Sequence, residues 1–141
     1  MLFYLNQSKA FMFKKLFKSQ GEEKSDSKKN QLNWIPLQNE SQLEALLEDS
    51  KIKLQMIYKH STSCGISSMV KRQLEQSLGA LDMQASVYYL DLLSYRSVSN
   101  QVAKQFQVLH QSPQLILIKN GVVVAHDAHY DLLQLPIERY L

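Results

Sequence analysis

The chain has 141 residues, 45% of them hydrophobic and 21% charged, which suits one domain with one core and leaves no room for a second. Its single cysteine excludes an internal disulfide and argues against a stapled secreted fold, and no run approaches the roughly 20 apolar residues that span a bilayer. The formal net charge of +3 sits unevenly: residues 1–30 carry seven lysines against Glu22, Glu23 and Asp26, whereas the rest holds nine basic and ten acidic side chains, so no nucleic-acid surface is expected on the body.

Met1–Leu5 is too short an apolar run for a secretory signal core, and Lys9, Lys14 and Lys15 lie on the wrong side of it. Phe13-Lys-Lys-Leu-Phe-Lys18 has helix-like spacing with a basic face, which suits a membrane surface or a partner helix. A loosely docked leader is the simpler expectation, and a start at Met12 would remove the first eleven residues altogether. Residues 19–31 lack apolar anchors and read as a polar linker. The expected organisation is a disordered or loosely packed basic leader over 1–31 and a folded domain over 32–141.

Folding is expected to begin near Trp34. Ser41-Gln-Leu-Glu44 reads as a capping box opening a helix, with Leu43, Leu46 and Leu47 on one face. Lys53–Lys59 reads as a strand covered on both faces. The polar turn His60-Ser-Thr-Ser-Cys64-Gly leads into a helix that should turn Ile66, Met69, Val70 and Leu74 inward. Ser86–Leu90 is the next strand, and Ser99 is placed to cap a helix burying Val102, Ala103 and Phe106. Gln114–Ile118 is a strand joined through Asn120-Gly121, a strong hairpin signal, to Val122–Ala125. A last helix is expected from Tyr130 to Tyr140, kinked or split by Pro136. This order implies a mixed sheet covered by helices, and periodicity alone fits several small α/β folds.

Cys64 falls where a strand ends and a helix begins. The free N–H groups of a first helical turn favour an anion, so a thiol placed there loses its proton more readily, and the thiolate is the nucleophile. Lys59 and His60 are candidates to add positive field, Ser63 flanks the sulfur, and Gly65 leaves room for a partner to approach it. Ser67 stands one turn on, where a two-cysteine site would hold its resolving thiol; a hydroxyl there can donate to the thiolate but cannot close a disulfide. The competing reading is a buried filler cysteine, against which the polar Ser-Thr-Ser and Gly flanks count.

Lys59-His-Ser-Thr-Ser-Cys-Gly-Ile-Ser-Ser68, Tyr89-Leu-Asp91, Tyr95-Arg-Ser-Val-Ser-Asn100 and Val108-Leu-His-Gln-Ser-Pro-Gln114 together resemble the monothiol bacilliredoxin family, over about Trp34 to His129. The resemblance implies a thioredoxin-like fold, an α/β architecture with a mixed central sheet and helices on both faces. It implies that Cys64 is the catalytic thiol and that Pro113, after Ser112, is the cis proline that faces it and presents backbone to substrate. His129 is the better match to the family's histidine-containing segment near the last helix. The implied activity is cytoplasmic, bacterial removal of bacillithiol from protein mixed disulfides, with bacillithiol as co-substrate, bacillithiolated proteins as clients, and no bound cofactor or metal. Arg96 and Asn100 are candidates to contact negative parts of a small thiol, and His110 is a candidate neighbour of the thiol. The alternative function is a non-catalytic thioredoxin-like module that binds a partner beside Pro113. A single-thiol reductase of a small oxyanion would need clustered arginines, and Arg72, Arg96 and Arg139 are scattered.

Overall fold

The computed structural model describes residues 32–81 and 84–141. The expected leader, 1–31, lies outside the described residues. Five strands form one sheet in the order β1-β3-β2-β4-β5, with β1 Trp34–Pro36, β2 Leu54–His60, β3 Ala85–Asp91, β4 Gln114–Lys119 and β5 Val122–Ala128. β1, β3 and β2 run parallel, and β4 and β5 are antiparallel additions. The parallel pairings need crossovers, supplied by helices α1 (Glu40–Asp49) and α2 (Gly65–Leu78); α3 (Arg96–Phe106) then leads to β4.

Alternation along the strands divides the core in two. Leu54, Met56 and Tyr58 of β2, with Val87, Leu115 and Leu117, face Val70, Leu74 and Leu78 of α2 and Leu132 and Ile137 of the C-terminal segment. Ile57, with Leu90, Ile116 and Ile118, faces Leu43 and Leu46 of α1 and Val98 and Val102 of α3. Every residue of β2 is buried, as expected of a central strand covered on both faces. Asn120 and Gly121 both take positive φ, 55° and 77°, and close the β4–β5 hairpin, while Ser50 at the end of α1 accepts from both turn N–H groups.

Several local expectations are corrected. The capping box lies two residues earlier than expected: Asn39 Oδ1 accepts from Gln42 N–H at 2.9 Å and Gln42 Oε1 accepts from Asn39 N–H at 3.3 Å. Ser99 does not cap α3; it is a buried residue inside it, because Asp91 already organises the preceding turn by accepting from the Ser94 hydroxyl and the Leu93 and Ser94 N–H groups. The expected last helix is two 3-10 turns, His129–Gln134 and Ile137–Tyr140, separated at Leu135-Pro136, where proline has no N–H to continue a ladder. Ile66 and Met69 are 43% and 52% exposed, since Ser67, Val70, Leu74 and Leu78 take the inward face of α2. No helix among the described residues is long and apolar enough to cross a membrane.

Candidate active site

Cys64 is the residue before the first turn of α2, with extended backbone, and is half-buried. A tight turn delivers it: Cys64 N–H donates to Ser61 O at 3.1 Å, and the Ser61 and Ser63 hydroxyls lie 2.9 Å apart. The Cys64 side chain closes no capping hydrogen bond, but the donors of the first turn of α2 lie close enough to favour its thiolate. The Ser67 N–H, then the Ser67 hydroxyl, then the Ile66 N–H hold the thiol below the ordinary cysteine value, and desolvation opposes them only weakly. Ser67 Oγ is fully enclosed and has no hydrogen-bond partner among the described residues, which leaves its proton free to turn to a Cys64 thiolate. Its inward position comes from the apolar stripe of α2, whose spacing places residue 67 against the sheet.

Beneath this turn lies Tyr58, completely buried, whose hydroxyl donates to Ser67 O at 2.8 Å. Burial chiefly, then the charges of Tyr89, Cys64 and Glu75, push its phenol far above the usual tyrosine range, so it stays a neutral donor. His60 stacks beside it, with ring centroids 5.9 Å from Tyr58 and 5.2 Å from Tyr89. Its pKa is lowered by burial first and then by Lys71, with Asp91 opposing, so the imidazole is neutral around pH 7 and lends the thiolate no full positive charge.

Pro113 approaches from the other side of the sheet end. Lys59 pairs with Gln114, so Pro113 lies at the same end at which β2 delivers the Cys64 turn. The Ser112-Pro113 bond is cis, Pro113 is buried, and its carbonyl accepts from His129 N–H at 2.9 Å. Ser112 is half-buried, and its hydroxyl is enclosed without a partner among the described residues. Gly65 is exposed and a Cβ built there meets nothing within 4 Å, so the fold itself does not demand glycine.

Four residues expected near the thiol or its ligand lie elsewhere. Lys59 is fully buried on the α1/α3 side of the sheet, because it follows Tyr58 and side chains alternate; its ammonium donates to Ser99 O at 3.1 Å and lies 3.4 Å from His110 Nδ1. Burial lowers its pKa to about 8. His110 is therefore Lys59's neighbour; its pKa is lowered by burial, then by Lys59 and Arg96. Arg96 and Asn100 are exposed on α3, on the same side as Lys59. Tyr58's support of the Cys64 turn is not announced by the sequence, where it reads only as one residue of the Lys53–Lys59 strand. Its position six before the cysteine, in phase with the α2 face, was the available signal. Among the described residues, no group of three or more His, Cys, Asp or Glu side chains is placed to hold a metal.

Residues 35–135 match the family described as monothiol bacilliredoxin BrxC. A solved structure described as a candidate oxidoreductase with a thioredoxin fold is 32% identical, with 70% of this chain and 85% of that one covered and a TM-score of 0.63. Thioredoxin from Malassezia sympodialis (16% identity, 74% and 88% covered, TM-score 0.61) and thioredoxin O2 from Arabidopsis thaliana (19%, 77% and 95%, 0.61) share the fold. A sheet with parallel β1, β3 and β2 and antiparallel β4 and β5, a thiol at the start of α2 and a cis proline at the same sheet end meet here in a chain with one cysteine, and the chain belongs to the monothiol bacilliredoxin family of thioredoxin-fold thiol oxidoreductases.

Proposed function

We propose that the protein removes bacillithiol from protein mixed disulfides through Cys64, in the reducing cytoplasm where a lone thiol persists. The observation that carries this reading is the half-exposed Cys64 sulfur, its pKa lowered by the Ser67 and Ile66 donors, in a chain with no second cysteine. The Cys64 thiolate attacks the bacillithiol sulfur of the mixed disulfide. A new sulfur–sulfur bond forms as the old one breaks; Cys64 is oxidised, and the client sulfur leaves with the electron pair as a thiolate. Cys64 then carries bacillithiol, and a second thiol must attack that bond to restore it. Pro113 shapes the groove in which the client's extended backbone lies, and Ser67 steadies the thiolate before attack. The chemistry requires no bound cofactor; bacillithiol enters as co-substrate.

The test is transfer from a bacillithiolated client, followed on both proteins by mass spectrometry. The expected result is a single adduct on Cys64, matched by loss from the client, and complete loss of transfer in Cys64→Ser. A client retained by the Cys64→Ser protein, with no adduct ever formed on the unaltered chain, would instead support a non-catalytic binding module. Equal transfer from glutathionylated and bacillithiolated clients would keep the exchange chemistry and remove the bacillithiol assignment.

A further inference from the structure

A cleft of about 310 Å³ on the α2 side of the molecule is lined by His60, Ser68, Lys71, Arg72, Glu75 and Tyr89. Helix geometry relates it to the thiol. At about 1.5 Å rise per residue, Ser68 lies roughly 6 Å along the axis from Cys64, and Lys71 and Arg72 roughly 10–12 Å. Cys64, Ser68, Lys71 and Glu75 are spaced by four, three and four residues, which puts them on one stripe. Ser68, Lys71 and Glu75 of that stripe line the cleft, so its near end begins about one helical turn, roughly 6 Å, beyond Cys64.

The cleft carries two cations, of which Lys71 is held in place. Lys71 pairs with Glu75 and stands over two aromatic rings, 5.1 Å from the Trp34 centroid and 5.6 Å from that of Tyr89. Glu75 Oε1 also accepts from Trp34 Nε1 at 3.0 Å, so one oxygen serves both donors. Arg72 is exposed and has no ion pair among the described residues, which leaves two cations against one carboxylate. His60, only 4% exposed, forms part of the wall, and its Nδ1 has no partner among the described residues. The nearby Asp91 carboxylate is taken up by Leu93 and Ser94.

We propose that this cleft is an anion subsite of the exchange centre: it receives a carboxylate from the far end of the small thiol whose sulfur is bonded to Cys64, with Arg72 as its free guanidinium contact and Lys71 as the fixed second cation. The inference rests on the exchange reading above and moves the anion contact from Arg96, on the opposite face, to α2. Arginine suits the role because its planar donors match a carboxylate.

Two symmetric disulfides separate the subsite from the chemistry, with adduct formation on Cys64 of the full chain timed by mass spectrometry. Glutathione disulfide carries carboxylates at the right reach, and hydroxyethyl disulfide is neutral. Arg72→Glu is expected to slow the glutathione reaction about tenfold and Arg72→Gln about threefold, with under about twofold change for the neutral disulfide. Bacillithiol disulfide should be slowed as glutathione disulfide is. Equal slowing of both reagents, or slowing of neither, overturns the subsite while leaving exchange at Cys64 intact. Failure of the unaltered protein to form an adduct with any of the three disulfides overturns the exchange reading and the subsite with it.

Discussion

The end of β2 sends consecutive buried polar side chains to opposite faces, and the two faces use them differently. Tyr58 and His60 point to the α2 side, where Tyr58 supports the Ser67 carbonyl beneath the thiol and the aromatic rings form a wall beside Lys71. Lys59 points to the α1/α3 side, where an ammonium is enclosed with a carbonyl and an imidazole nitrogen and, among the described residues, no ion-paired carboxylate. On the first face, neutral polar groups surround an atom that gains by ionising. On the second, a charge is buried with hydrogen-bond partners but no opposite charge among the described residues to offset its desolvation. Depth alone does not mark a polar residue as part of the reaction; the face it points to does.

The largest expected effect breaks this comparison on the Lys59 side. With a folded pKa of about 8 against 10.5 in the ordinary state, the unfolded chain binds more protons between those values, so stability should rise as pH increases from 8 to 10.5. Relative to Lys59→Met, the unaltered protein should gain up to roughly 3 kcal/mol across that window in denaturant titrations. Taking the difference cancels the opposing contribution of the tyrosines, whose raised pKa values lower stability at high pH. Lys59→Met should leave adduct formation at Cys64 unchanged; a flat difference with pH, or lost reactivity, would show that the ammonium is solvated or coupled to the thiol.

Tyr58→Phe acts on the opposite face and should be smaller in stability but larger in function. It removes one buried donor and leaves the Ser67 carbonyl short of a partner, a loss of about 1–2 kcal/mol. Because Ser67 also holds the sulfur, adduct formation should slow as well. Unchanged reactivity in this variant would separate the phenol from the thiol turn. Gly65→Ala should be the mildest, within about 0.5 kcal/mol in stability, because the added methyl group meets nothing in the fold. Slower transfer from a protein client, with unchanged reaction of small disulfides, would locate the need for glycine in the partner's approach.

The central strands, the β4–β5 hairpin and the strand-to-helix position of Cys64 were legible because each rests on local signals: alternation, an Asn-Gly turn and a period change. β1 was not, since Trp34–Pro36 is three residues long and shows no alternation that could announce an edge strand. The burial of Lys59 was illegible because lysine is ordinarily exposed, and only the strand's central place in the sheet forces it inside. Within the site, Ser67 could be read from its spacing to Cys64, whereas Lys71 and Arg72 stood as ordinary helix-surface cations. Their link to the thiol needed the aromatic wall of Trp34 and Tyr89, brought together from two strands far apart in sequence.

Cys64's reactivity against pH tests the central claim most directly. Alkylation by iodoacetamide, timed between pH 5 and 10 on the unaltered chain and on Ser67→Ala, reports the thiolate fraction. The account predicts a midpoint below the value of a free cysteine, about 8.5, and an upward move in Ser67→Ala as one donor to the thiolate is lost. A midpoint at or above that value in the unaltered protein, unmoved by Ser67→Ala, would contradict it and make Cys64 an ordinary thiol at the head of a helix.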